Sequence, residues 1–160
     1  MFVSWQFDKL HRTGIFINLG DFNLNLDCII KLPFFFSWLL CKSNLVFFVE
    51  EGFNISTLNK YISKAELLYI SDLFKGRDLK LKKDIQIFEI NANKLIFIVI
   101  IKKGIRTSQV ESLGAKFYSL IDFEKNKNYV VYSDTINSKV YNFLGYFLHG
   151  LKLKSYQFNI

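Results

Sequence analysis

Seven consecutive apolar residues, 95–101, lie between Lys94 and the pair Lys102 and Lys103, and five of the seven are β-branched. A strand with one face in water alternates apolar and polar positions. An unbroken run predicts instead a strand covered on both faces, in the interior of a sheet flanked by helices. Gly104 ends the run. Val110, Leu113, Phe117 and Leu120 then recur at spacings of three and four, one stripe of an amphipathic helix over 108–122. Ser108 and Glu111 have the spacing of a capping box at its start.

Upstream, residues 45–49 predict a second short apolar strand, closed by Glu50, Glu51 and Gly52. Ser56 or Thr57 then caps a helix whose stripe is Leu58, Ile62, Ala65 and Leu68, and the polar stretch 71–78 reads as a loop. From residue 79 the period changes to two. Leu79, Leu81, Ile85 and Ile87 take one face, and Lys80, Lys82, Asp84 and Gln86 the other. Asn91, Ala92 and Asn93 make a turn, so this strand pairs antiparallel with 95–101 in a hairpin. A polar connection at 124–128 leads to a strand at 129–132. Asp134 and Thr135 are placed to cap a last helix lined by Val140, Leu144, Phe147, Leu148 and Leu151. Strand, helix, hairpin, helix, strand, helix is an α/β layout, three-layer α/β/α with a mixed sheet.

Residues 1–44 are less regular. Phe22, Leu24 and Leu26 alternate with Asn23, Asn25 and Asp27, which suggests a strand. Residues 29–41 are apolar but carry Lys31 and Pro33, and the intact piece 33–41 is far below the roughly 20 residues of a membrane helix. That argues against a membrane partner.

The chain has 160 residues, enough for one domain with a core, and is 51% hydrophobic, which excludes a disordered chain. Cys28 and Cys41 sit in apolar surroundings and read as buried free thiols. Neither they nor His11 and His149 have zinc-ligand spacing. The net charge is +7, and its one dense cluster contains Lys75, Arg77, Lys80, Lys82 and Lys83. Those five are the candidate contacts to an anion or nucleic acid, with weak, salt-sensitive binding expected. A phosphate-cradling loop wants several glycines, and residues 102–106 offer one, Gly104.

Four stretches line up in order with one family. They are Leu-Val-Phe-Phe-Val-Glu-Glu-Gly at 45–52, Phe-Lys-Gly-Arg at 74–77, Gln-Val-Glu-Ser-Leu-Gly-Ala-Lys at 109–116, and Gly-Tyr-Phe-Leu-His-Gly at 145–150 running on to Leu-Lys-Ser-Tyr-Gln-Phe at 153–158. They resemble the opening strand, the "F-x-G-K", the "e-x-l-G-g-k" helix and the closing "a-E-G-x-x-L-a-S-Y-R-F" segment of the N-terminal domain of the leucyl (cytosol) aminopeptidases. His149 stands where the family has an acidic residue, and Gln157 where it has arginine. The resemblance covers residues 45–160, with 1–44 offering at most a first strand near 23–30.

The resemblance implies a macro-domain-like fold and a cytoplasmic location. It implies a non-catalytic domain or truncated form of a metal-dependent aminopeptidase, a hexamer when complete. The two metals, zinc or manganese, belong to a second domain whose signature, Asn-Thr-Asp-Ala-Glu-Gly-Arg, does not occur in these 160 residues. No catalytic or metal-binding residue is therefore assigned, and the chain is expected to be inactive alone. Tyr146, His149, Tyr156 and Phe158 are the candidate contacts to that catalytic domain, and the tail after Leu151 is expected to be mobile without it. The alternative reading is a free-standing macro-like module that binds nucleic acid or a nucleotide through its basic residues.

Overall fold

The computed structural model describes residues 13–18, 29–31, 43–52, 54–76, 83–121 and 128–156. Six strands form one mixed sheet: β1 (Thr13–Asn18), β2 (Ile29–Lys31), β3 (Asn44–Glu50), β4 (Ile85–Asn91), β5 (Lys94–Ile101) and β6 (Asn128–Tyr132), in the order β2-β1-β6-β3-β5-β4. β3 runs parallel to both β5 and β6, while β4 and β1 pair antiparallel with β5 and β6. The α/β expectation holds, and the apolar run 95–101 lies between β3 and β4, inside the sheet. β1 and β2 carry the sheet into the N-terminal segment. The alternating stretch 22–26, both cysteines and the tryptophans lie outside the described residues.

Both faces of the central strands are covered. Leu45, Phe47, Val49, Ile96 and Ile98 pack with Leu58, Ile62, Ile70 and Phe74. The last two belong to helix α1 (Lys64–Gly76), and Leu58 to the 3-10 turn Ser56–Lys60 before it. Val46, Phe48, Phe97, Val99 and Ile101 point to the opposite face. There they meet helices α2 (Thr107–Leu120) and α3 (Phe143–Ser155), through Val110, Leu113, Phe117, Phe143, Phe147 and Leu151. Edge-to-face ring pairs fix the seating, Phe97 on Phe117 at 5.3 Å and Phe48 on Phe147 at 5.2 Å between centroids.

Several local expectations are corrected. The first helix is not capped by Ser56 or Thr57. Residues 61–63 break the 3-10 turn from α1, and Ser63 with Glu66 forms the capping box: the Glu66 N–H donates to Ser63 Oγ, and the Ser63 N–H to Glu66 Oε2 at 2.8 Å. The break resets the helical phase, so Ala65 and Leu68 point outward, Leu68 at 56% exposure, and Ile70 and Phe74 point in. Residues 71–76 are helix rather than loop.

On α2 the box at Ser108 and Glu111 does not form. The helix begins one residue earlier, and the Arg106 N–H donates to Gln109 Oε1 at 2.9 Å. Leu120 is exposed, and Ile121 is buried in its place. Asp134 and Thr135 do not cap α3. They lie in a 3-10 turn, Ser133–Thr135, where Thr135 Oγ1 donates to the Tyr132 carbonyl at 2.7 Å and accepts the Phe48 N–H at 2.9 Å. That hydroxyl ties β6 to β3. The α3 cap is Asn142, in the left-handed region at φ 53°.

Candidate functional site: a cleft at the carboxyl ends of the parallel strands

The chain leaves β3 through α1 on one face of the sheet, returns at the edge strand β4 and turns back into β5. It leaves β5 through α2 on the other face and returns to β6, beyond β3. β3 and β5 therefore send their following helices to opposite faces. In open α/β sheets this reversal opens a crevice at the carboxyl ends of the strands, where ligands bind.

A cleft of about 850 Å3 lies there. Its walls are Glu50, Glu51 and Gly52 at the end of β3, residues 101–105 at the end of β5, and residues 137–140 from the segment before α3. The register explains the meeting. Glu50 pairs with Ile101, and the Glu51 N–H donates to the Ile101 carbonyl at 3.0 Å, so both loops leave the sheet at one level. A turn closed by Ile105 N–H to the Lys102 carbonyl at 3.2 Å needs positive φ at Gly104, 73°, a conformation that glycine adopts without strain. Glu51 Oε2 accepts the Lys103 N–H at 3.4 Å and joins the two loops. A smaller hollow of about 310 Å3 sits on the α1 side of the same edge and shares Glu50, Gly52 and Asn137 with the first.

One acid outside the cleft holds its β5 wall. Asp84 accepts from Lys102 at 2.8 Å and from Lys116 of α2, and its side chain is only 16% exposed. Burial alone would raise its pKa. The hydrogen bonds and charges of Lys102 and Lys116 outweigh that and hold it below the usual aspartate value, while Asp84 raises the pKa of Lys102. Glu66 behaves alike: burial raises it, but Lys94 at 2.7 Å and the bonds from Ser63 bring it below the usual glutamate value. A carboxylate with a depressed folded pKa stabilises the fold above its unfolded pKa and ceases to do so as pH falls through the folded one. Unfolding midpoints in urea should therefore hold steady from neutral pH down to about 5 and drop below about 4. Asp84→Asn should flatten part of that acid limb, and an identical limb in the variant would refute the assignment.

Those of the residues singled out from sequence that are described do not line this cleft. Lys75 is exposed in the last turn of α1 and Lys83 is exposed just before β4, whereas Arg77, Lys80 and Lys82 lie outside the described residues. Tyr146 packs half-buried against the chain's own core. His149 Nδ1 faces Glu111 Oε1 at 2.9 Å, an ion pair across α2 and α3 when the histidine is protonated. Tyr156 is exposed, and so is Leu153. Helix α3 continues through residues 152–155, while Phe158 lies outside the described residues.

Two glycines were quoted only as letters of a motif, and the structure gives them a task. A Cβ on Gly114 would overlap the Phe147 carbonyl oxygen and stand 2.9 Å from the Leu151 nitrogen. A Cβ on Gly150 would overlap the Glu111 carbonyl oxygen and stand 2.7 Å from the Glu111 Cα. At these two points the backbones of α2 and α3 touch.

Among the described residues, no three His, Cys, Asp or Glu side chains converge to hold a metal, and no helix is long and apolar enough to cross a membrane. Comparison with family models, with curated proteins and with solved structures finds no match to this chain.

Proposed function

We propose that residues 45–160 form the N-terminal, non-catalytic domain of a protein of the leucyl aminopeptidase type, with a macro-domain-like fold. One observation carries the reading. Gly114 is the first glycine of "e-x-l-G-g-k" and Gly150 the glycine of "a-E-G", and these are the two positions where a side chain would collide with the opposite helix backbone. Motif letters far apart in sequence thus meet at one crossing, as expected if the motif records that packing. The departure at His149 fits the same crossing, since it faces Glu111, the first letter of the other motif. In this reading Leu153 and Tyr156 are exposed because they face the catalytic domain, and the whole protein is a cytoplasmic hexamer. The family's two metals do not fit the described residues, which offer no cluster for them. Their ligands belong to the catalytic domain.

Purified chain should show no turnover of leucyl p-nitroanilide, with or without added zinc or manganese, and metal-dependent turnover that copurifies with it would overturn the reading. The coding sequence downstream of Ile160 should specify the two-metal signature, in frame or as a separate segment. A nucleic-acid role would rest on the basic stretch at 75–83, of which the described members are Lys75 and Lys83.

A further inference from the structure

β4 lies at one edge of the sheet, and among the described residues no strand pairs with its outer side. The Ile100 N–H donates to the Asp84 carbonyl at 2.8 Å, and Ile85 is in register with Val99. Along an antiparallel strand, main-chain groups point alternately toward the partner and away from it. Asp84, Gln86 and Phe88 therefore bond to β5, and the N–H and C=O groups of Ile85, Ile87 and Glu89 point outward. The side chains at this edge are apolar on both faces. Ile87 extends the core under α2 and Ile90 the core under α1, and each is only half-buried. A strand in this state is a template for another strand. Glu89 restricts which one. It is exposed, as is Lys83, and neither has an ion-pair partner among the described residues. A strand that sets an acid opposite Glu89 is repelled, and one that sets a cation there is attracted. β4 carries that cation itself.

We propose that β4 is a dimerisation edge whose occupant is β4 of a second copy of this chain, antiparallel, with the two-fold axis at Gln86. This register sets Ile85 opposite Ile87 of the second copy and Glu89 opposite its Lys83. The outward groups of Ile85 and Ile87 then exchange about four main-chain hydrogen bonds across the axis. The Lys83 carbonyl already accepts the Gln86 side-chain amide at 3.4 Å, so Lys83 contributes its charge rather than a rung of the ladder. Moving the axis to Ile87 keeps the outward groups in phase, but places Ile85 opposite Glu89 and Lys83 opposite Asn91, and both ion pairs are lost. Shifting the pairing by a single residue sets outward groups against groups already bonded to β5. The symmetry is closed. Each copy uses its one β4 edge, and the strand at the other edge, β2, has only 3 residues, so the pairing stops at two chains. The shared surface is small, and the association is correspondingly weak, with a Kd of about 10–100 μM. The contact is remote from the catalytic question and does not depend on the aminopeptidase reading.

The test is sedimentation velocity of the full 160-residue chain from about 5 to about 500 μM at low salt, a range that brackets that Kd. A monomer–dimer equilibrium is expected. Hydrogen exchange should slow with concentration at the Ile85 and Ile87 amides, while Gln86 and Phe88, bonded to β5, stay protected throughout. Glu89→Lys and Lys83→Glu each set like charges opposite one another at two symmetric places, and each should weaken the dimer at least about tenfold. The two reversals combined should restore it. Ile87→Pro removes a donor that β5 does not use, which an edge strand tolerates, and should leave a folded monomer at every concentration. Circular dichroism on each variant confirms the fold. A chain that stays monomeric at the highest concentration overturns the proposal. So does a dimer indifferent to Glu89→Lys, or a double reversal that fails to restore pairing. Ile85 and Ile87 amides protected at every concentration would show the edge already covered within one copy, and growth beyond two chains would show that the pairing is not closed; either result overturns it.

Discussion

Val99→Asp is expected to abolish folding. Val99 has no exposed surface, sits in β5 between β3 and β4, and packs in the core shared with α2 and α3. Its neighbours in that core are apolar side chains, which offer an aspartate no hydrogen bond or counter-charge. A buried aspartate therefore stays uncompensated. Desolvating an ion costs several kcal/mol, or the group takes up a proton at a similar penalty, against a total stability of about 5–15 kcal/mol for a domain of this size. Val99→Ala removes two methyl groups and should cost about 2 kcal/mol while keeping the fold. Soluble expression, circular dichroism and urea titration separate the two variants. A cooperatively unfolding Val99→Asp protein would show that β5 is not the interior strand.

Gly150→Ala is the second large effect, and its sign is the informative part. Helix propensity alone favours alanine over glycine by about 1 kcal/mol inside a helix such as α3. The crossing reverses this, because the added Cβ would overlap the Glu111 backbone, which cannot rotate away as a side chain could. A net loss of about 2 kcal/mol is expected, in the range of overpacked cores. Gly114→Ala should behave the same way against Phe147 and Leu151. The double variant should lose less than the sum of the two, since one spread crossing accommodates both methyl groups. Gly52→Ala, in open space, is the control and should be nearly neutral. Urea midpoints for the four proteins decide it. A stabilised Gly150→Ala chain would mean that the helices do not touch, and would remove the observation on which the aminopeptidase reading rests.

His149 makes a contact that local spacing does not announce. The sequence offers it as a candidate contact to another domain, because it lies on the side of the last helix away from the apolar stripe. In the structure its Nδ1 meets Glu111 on the neighbouring helix, and Glu111 is thereby drawn away from the capping role that its spacing from Ser108 suggested. The pattern Ser-x-x-Glu occurs at both 63–66 and 108–111, yet only the first forms a capping box. Local spacing is the same in both places. What differs is where each helix begins and what else competes for the glutamate.

Sequence by itself determined the strands and their surroundings wherever one residue's neighbours in the chain dictate its environment. Seven apolar residues in a row leave no face for water, so β5 had to be interior. The turn at 91–93 permits little but an antiparallel hairpin. The stripe Val110, Leu113 and Phe117 faces the core because α2 is unbroken across it. Three things were decided only by tertiary structure. The break at 61–63 shifted the phase of α1, so Ile70 and Phe74 became core in place of Ala65 and Leu68. The contact of Gly114 with Phe147 and of Gly150 with Glu111 depends on how α2 and α3 cross. The cleft depends on the parallel register that sets Glu50 beside Ile101, two residues remote in the chain. The physical reason is the same in each case. Periodicity reports which side of an element is apolar, whereas the phase, the approach distance and the partner are fixed by surfaces that come together only when the chain folds.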